Sequence, residues 1–295
     1  KPPGKLLPSA HAVDREFRIM KALAQTDVPV PNVRVLCEDD SVIGTMFYVM
    51  DFIEGRVFKD PGLPSLAPSE RGEVFESAAT TLAGLHRVDW RAAGLETYGK
   101  SSDYIARQIK RWSGQYEASK TEDIADMDNL TAWLRDNMPD DVNEAHNVTI
   151  AHGDFRIDNM IYGTDSLKPI AVLDWELSTI GHPLSDFAYC AMMYFTPANA
   201  RPSPGLYGLN LKDEGIPSLA EFVAMYADAA GRTSVDEINY YMAFSNFRMA
   251  AILQGVYKRS LDGNASSRLA GQMGEFVKTV SKTGLQFTDG TLRVN

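Results

Sequence analysis

The chain has 295 residues, 44% of them hydrophobic and 23% charged, enough apolar material for a sizeable core and two lobes rather than one small domain. A net charge of −10 argues against a dedicated nucleic-acid binder, which needs a basic face to meet phosphates. No apolar run approaches the roughly 20 residues that span a bilayer. Cys37 and Cys190 each sit in an apolar run and read as reduced core thiols of a cytoplasmic protein.

The chain opens on Lys1 rather than Met, so residues are expected ahead of it and a targeting segment there stays open. Over 11–24, Val13, Phe17, Met20 and Ala24 recur at helical spacing, with Ser9 as the N-cap. Val28-Pro29-Val30-Pro31 ends that helix. Strands are expected over 33–38 and 45–53, joined by a turn on Asp39, Asp40, Ser41 and Gly44. The Gly- and Pro-rich stretch 55–68 reads as a change of lobe. Helical patterns follow over 69–87, 103–119 and 126–137. Next come a strand over 148–151, a polar loop, and a hairpin of 160–162 with 170–173. The remainder reads as helical except 196–217, a loop whose length suits a lid or binding segment.

The informative segment is His152-Gly153-Asp154-Phe155-Arg156-Ile157-Asp158-Asn159, followed by Ile170-Ala171-Val172-Leu173 and Asp174-Trp175-Glu176. Phosphoryl transfer needs metal ions bridging the phosphates, ligands to hold them, and a base beside the attacking hydroxyl. Mg²⁺ takes a few hard oxygen ligands from rigid backbone and fills its shell with water and phosphate. An Asp with an Asn five residues on puts a carboxylate and an amide oxygen on one tight loop, and an Asp closing the hairpin can face the same point. Asp154 is then the base, with Asn159 and Asp174 the metal ligands. Loops of this composition between strands are usually solvated turns, as Asp158 is expected to be. The flanking strand, the hairpin and Asp174 are what raise the other three above that reading.

The segment resembles the catalytic and metal-binding loops of the aminoglycoside phosphotransferase family, within the kinase-like superfamily. The likeness extends to Arg15-Glu16, to Tyr48-Val49-Met50-Asp51-Phe52-Ile53-Glu54-Gly55, to Leu85-His86, and to His182-Pro183-Leu184-Ser185-Asp186-Phe187-Ala188. The opening Lys1-Pro2-Pro3-Gly4-Lys5-Leu6-Leu7-Pro8-Ser9-Ala10-His11 looks like a subgroup associated with acyl-CoA dehydrogenases. This resemblance implies an α+β, two-lobed protein-kinase-like fold. Residues 1–54 would be the remainder of a small β-containing nucleotide-binding lobe, truncated at its start. Residues 55–295 would form the large, mainly helical catalytic lobe. It further implies Mg²⁺ as cofactor and ATP as phosphate donor. Glu16 would be the helix carboxylate that pairs with a phosphate-binding basic residue at or before Lys1. Met50, Asp51, Phe52 and Ile53 would offer backbone groups to adenine, and Asp186 would accept hydrogen bonds from catalytic-loop backbone.

Asp186 follows Asp174 by only twelve residues, which leaves no room for the long activation segment of a protein kinase, so a small hydroxyl-bearing acceptor is expected. His11, His86, His146 and His182 lack metal-ligand spacing and read as structural, while His152 reads as a support for loop backbone. Tyr240, Tyr241, Phe244 and Phe247 read as core, with an edge at Tyr241 available to a substrate cleft. From Tyr241 onward, seven basic residues face three acidic ones, and Arg248, on a nearly apolar helix face, needs an anionic partner. That partner is either a structural carboxylate such as Asp186 or an anionic group of the acceptor. The acceptor expected is therefore a hydroxyacyl compound or its CoA ester. An aminoglycoside or other amino-alcohol is the alternative, and a catalytically weak nucleotide-binding module is a reading of another class. A homodimer is open; the acceptor and the oligomeric state are not fixed by sequence.

Overall fold

The computed structural model describes residues 12–201, 203–233, 235, 237–264 and 268–294. Its fold is α+β and two-lobed. The small lobe begins with α1 (Val13–Leu23), which buries Ile19, Met20 and Leu23 and keeps Asp14 and Glu16 in its first turn, where they suit the helix dipole. Ala12 holds the N-cap position without a side-chain cap; the expected cap Ser9, with Lys1 and His11, lies outside the described residues. β1 (Val33–Cys37) and β2 (Phe47–Met50) pair antiparallel from Val33 opposite Met50 to Cys37 opposite Phe47, with a bulge after Val33. β2 ends three residues earlier than expected. The Asp51 N–H still donates to the Asn32 carbonyl at 2.9 Å, and the pairing stops there. Cys37 is only half-buried, because it sits at the turn end of this two-stranded sheet, whereas Cys190 is buried; both are free thiols.

After β2 the chain is pinned to the large lobe. Arg56 exchanges both backbone hydrogen bonds with Tyr162 at 2.8 Å. Gly55 approaches so closely that a Cβ there would lie 2.4 Å from the Tyr162 carbonyl oxygen, so no side chain fits. The large lobe contains α2 (Pro68–His86), α3 (Tyr104–Ser119), α4 (Ala125–Asp136), α5 (Pro183–Ala191), α6 (Leu219–Ala230), α7 (Ile238–Leu261) and α8 (Met273–Thr288). The first three match the sequence patterns to within a residue. α7 is the axis of the core: it packs against α3, α4, α5 and α8 and buries Tyr240, Phe244, Phe247, Ala250 and Ala251. Among the described residues no helix is long and apolar enough to cross a membrane.

Two short strand pairs sit at the lobe junction. β3 (Thr149–Ala151) pairs with β6 (Thr179–Gly181), and β4 (Met160–Tyr162) pairs with β5 (Pro169–Val172), both antiparallel. β6 has no counterpart in the sequence reading, since three residues carry too little periodicity to register. The next α-helix starts at Pro183. The Val172 N–H donates to the Pro29 carbonyl at 2.8 Å, so the segment between α1 and β1 is also stitched to β5.

Candidate active site

β3 leads into the loop 152–159 and β4 leaves it, so both ends of the loop are fixed by pairing. Phe155 and Ile157 are buried and anchor it. His152 is fully buried; its Nδ1 accepts from the Asp154 N–H at 3.2 Å and its Nε2–H donates to the Leu173 carbonyl at 2.9 Å. Burial holds this imidazole below its ordinary pKa, so it is a neutral brace between the loop and the residue before Asp174. Gly153 has φ +84°, and a Cβ on it would lie 2.7 Å from the Leu177 carbonyl oxygen. Only glycine satisfies both demands.

The carboxylate of Asp186, on α5, accepts from the His152 N–H at 2.6 Å and the Gly153 N–H at 2.8 Å. It also meets His86 Nε2 at 3.3 Å, while His86 Nδ1 meets the Tyr226 hydroxyl at 2.7 Å. Burial alone would raise the Asp186 carboxyl; the bond from His86, the neighbouring imidazoles and the Gly153 N–H outweigh it and hold the carboxyl below its usual range.

Asn159 is tied on every side but one. Its N–H donates to the Arg156 carbonyl at 3.0 Å and its carbonyl accepts from the Leu173 N–H at 2.8 Å. Its side-chain Nδ2 donates to the Asp154 carbonyl at 2.9 Å and to Asp154 Oδ2 at 3.1 Å. The amide oxygen is thereby turned outward, as a neutral metal ligand must be. Asp174 follows the doubly tied Leu173 and adopts φ 64°, ψ 58°, a left-handed conformation costly for a residue with a Cβ. Its carboxylate is exposed and accepts no hydrogen bond among the described residues. One amide oxygen and one uncommitted carboxylate fit Mg²⁺, which completes its shell from water and phosphate. Among the described residues no group of three or more His, Cys, Asp or Glu could hold a metal by itself.

Asp154 is half-buried. Burial pushes its carboxyl above the ordinary value, against the pull of the Tyr189 hydroxyl and Arg156. Arg156 itself forks onto Asp158, Nε to Oδ1 at 2.9 Å and Nη2 to Oδ2 at 2.7 Å. So Asp158 is a paired carboxylate rather than a plain solvated turn.

On the small-lobe side, Glu16 accepts from the Tyr48 hydroxyl at 3.1 Å. The Tyr48 phenol is pushed up by burial first, then by Glu16, with Asp174 adding to the same acidic field. The basic partner expected for Glu16 lies outside the described residues. Of the four linker residues, Met50 is paired in β2 and Asp51 forks onto Arg34 with both bonds at 2.6 Å. Phe52 and Ile53 make no backbone hydrogen bond among the described residues, and the Phe52 side chain is 91% exposed.

Beside the loop 152–159 opens a cleft of about 390 Å³. Its walls come from the loop itself, from α5 and the turn after it (Tyr189, Met192, Met193, Phe195), from Thr196, Pro197, Ala200, Arg201, Ser203 and Pro204, and from the facing sides of α7 and α8, including Met249 and Phe276. The loop lines this cleft through Arg156, Ile157 and Asp158, and Asp154 is not among its lining residues; two sequence expectations are corrected. Arg248 does not line it: the residue is 8% exposed, lies behind Tyr189, and donates Nη2 to the Gly153 carbonyl at 2.8 Å rather than pairing with Asp186. Tyr241 faces away, with its hydroxyl 2.9 Å from His182 Nε2, beside a separate shallow pocket edged by Asp140, Asp141, Arg232 and Glu237. Tyr240, Phe244 and Phe247 are core throughout. The basic residues on the cleft are instead Lys59, Arg156 and Arg201, with Asp158 its one carboxylate among the described residues. The expected lid is half wall and half anchor: beyond Gly205 it is held by buried Arg71, which pairs with the Glu214 carboxylate and donates to its carbonyl at 3.2 Å. Tyr189 escaped the sequence reading, although it stands one helical turn after Asp186 and so on the same face.

Residues 1–238 match the model of the phosphotransferase enzyme family. Acyl-CoA dehydrogenase family member 10 of Mus musculus is 46% identical over 287 residues, which are 97% of this chain and 26% of that protein. The chain thus spans 26% to 37% of the length of curated relatives such as this one. A crystal structure from Ralstonia eutropha, titled as a candidate aminoglycoside phosphotransferase, superposes with a TM-score of 0.89 at 42% identity, covering 96% of this chain and 84% of that one. The GDP and kanamycin complex of an aminoglycoside phosphotransferase shares the fold at a TM-score of 0.60 and 15% identity, over 91% of this chain and 82% of that one.

Proposed function

The chain belongs to the phosphotransferase enzyme family, and we propose that it transfers the γ-phosphate of ATP to the hydroxyl of a hydroxyacyl compound or its CoA ester. In this reading Asp154 orients the acceptor hydroxyl and takes its proton, which its raised pKa suits. Asn159 Oδ1 and the Asp174 carboxylate would hold Mg²⁺, which when bound neutralises charge on the phosphates. Glu16 would orient the basic group that meets the phosphates, and Phe52 and Ile53 carry the free backbone groups for the base of the nucleotide. A cytoplasmic location belongs to the same reading.

The observation that carries the acceptor class is the cleft wall. It is built mainly from Met, Phe and other apolar side chains, with three basic residues and a single carboxylate that Arg156 already occupies. A polycationic amino-sugar needs several free carboxylates there, while an anionic group on an apolar body is complementary to this wall. The test is phosphate transfer from labelled Mg·ATP to 3-hydroxybutyryl-CoA, free 3-hydroxybutyrate, kanamycin and ethanolamine. Label is expected on the hydroxyacyl compounds. Label on kanamycin with none on the hydroxyacyl compounds would establish the amino-sugar alternative instead.

A further inference from the structure

α7 carries a buried cation that no carboxylate among the described residues balances. Arg248 is 8% exposed, and among the described residues no acidic side chain comes within the 4.0 Å of an ion pair. Its Nε is buried with no hydrogen-bond partner. A well-packed apolar side chain would serve the core better than a guanidinium left in this state. What it touches lies around Asp154. Nη2 holds the carbonyl of Gly153, the residue before Asp154, and the guanidinium carbon sits 4.9 Å from the centroid of the Tyr189 ring. The Tyr189 phenol lies near the Asp154 carboxylate, which adds to burial in pushing the phenol's pKa up and whose own pKa the phenol in turn pulls down against burial.

We infer that Arg248 and Tyr189 form a positioning pair that fixes the orientation of the Asp154 carboxylate from the helices behind the catalytic loop. The inference rests on the reading of Asp154 as the base. Both backbone groups of Gly153 are held, its N–H by Asp186 at 2.8 Å and its C=O by Arg248 at 2.8 Å, so the two peptides leading into Asp154 are each tied to a neighbouring helix. The carboxylate accepts from the Asn159 amide, 3.1 Å from Oδ2, and the Tyr189 phenol stands near it. The cation under the ring seats the phenol by a cation–π contact. Tyr189 also borders the acceptor cleft, so the group that steadies the base stands beside the incoming hydroxyl. Small errors in such geometry are costly in rate and nearly silent in ground-state binding.

The test compares Tyr189→Phe, Arg248→Lys, Arg248→Met and Asp154→Asn by kcat and by KM for ATP, with 3-hydroxybutyryl-CoA as acceptor and with water alone. Amide exchange at Gly153 and Asp154 is measured on the same proteins. Tyr189→Phe and Arg248→Met are expected to lower kcat by about tenfold or more while KM for ATP moves by less than about twofold. Arg248→Lys should recover part of the loss, since a point charge still reaches the Gly153 carbonyl but cannot lie flat against the ring. Arg248→Met should also speed exchange at Gly153 and Asp154. Wild-type kcat in Tyr189→Phe and Arg248→Met, alongside an inactive Asp154→Asn, overturns the pair and leaves the base standing. An active Asp154→Asn removes the base and the pair with it. Unchanged exchange at the two amides in Arg248→Met overturns the clamp without reference to any acceptor.

Discussion

The loop 152–159 and the linker 50–55 are built on opposite principles. In the loop, peptide groups are committed to groups from α5, α7 and the β5–Asp174 corner, and the two ends are strand-paired. In the linker, the pairing runs out at Asp51 and resumes at Arg56, leaving Phe52 bare between them. A base and its metal ligands must hold position through the reaction, so their supports are internal and redundant. A nucleotide base binds through backbone groups, and these serve only if the fold leaves them unused. Rigidity and vacancy are thus placed where each is needed, and substitutions in the two regions should differ accordingly.

The largest departure is expected at the exposed end of the braced region. Asp174→Ala removes the proposed anionic metal ligand and should lower Mg·ATP affinity by more than about 10²-fold, since even outer partners of a metal ligand cost 10–100-fold. Asn159→Ala removes a neutral ligand and should cost less. Calorimetric titration of both variants with Mg·ATP decides this, and equal, unchanged affinities would place the metal elsewhere. Next is Gly153→Ala, which forces a Cβ into positive φ against the Leu177 carbonyl. It should destabilise the fold by roughly 1–3 kcal/mol from backbone strain alone, read as a shift of the urea midpoint. Phe52→Ala, on the bare linker, should leave that midpoint within about 0.5 kcal/mol. A larger shift there would mean that the linker side chain is packed after all.

The brace also predicts an acid response. Burial holds His86, His152 and His182 below the ordinary imidazole pKa. The unfolded chain therefore takes up protons near pH 6.5 that the folded chain refuses. Their stabilisation is complete above that pH and is lost as pH falls from it through the depressed values. Asp186, held low, adds a further loss below the ordinary carboxylate range. Asp154, held high, has the opposite sign and offsets part of the loss as it protonates. Urea midpoints should thus decline from about pH 6.5 downward; a midpoint that is flat to pH 4 would contradict neutral buried imidazoles.

How much of this was legible in the sequence depended on how local the information is. Asp154, Asn159 and Asp174 lie on one loop and one strand end, so their spacing carries most of their geometry. Asp186 was legible only through the family resemblance, which implies a carboxylate there that accepts from the loop's backbone, as it does. Arg248 and Tyr241 were misplaced because α7 is buried on nearly every side, and a helix without a polar face gives no indication of which neighbour covers which residue. The cleft's own cations, Lys59, Arg156 and Arg201, come from three separated segments that only the tertiary fold brings together.

The central claim is that Asp154 acts on the acceptor while the metal and nucleotide are held by other residues. Its most direct test is Asp154→Asn, with Mg·ATP affinity and turnover on the acceptor measured side by side. The account predicts affinity within about twofold of wild type and turnover lower by about 10²–10⁴. Turnover near that of the wild type would contradict it.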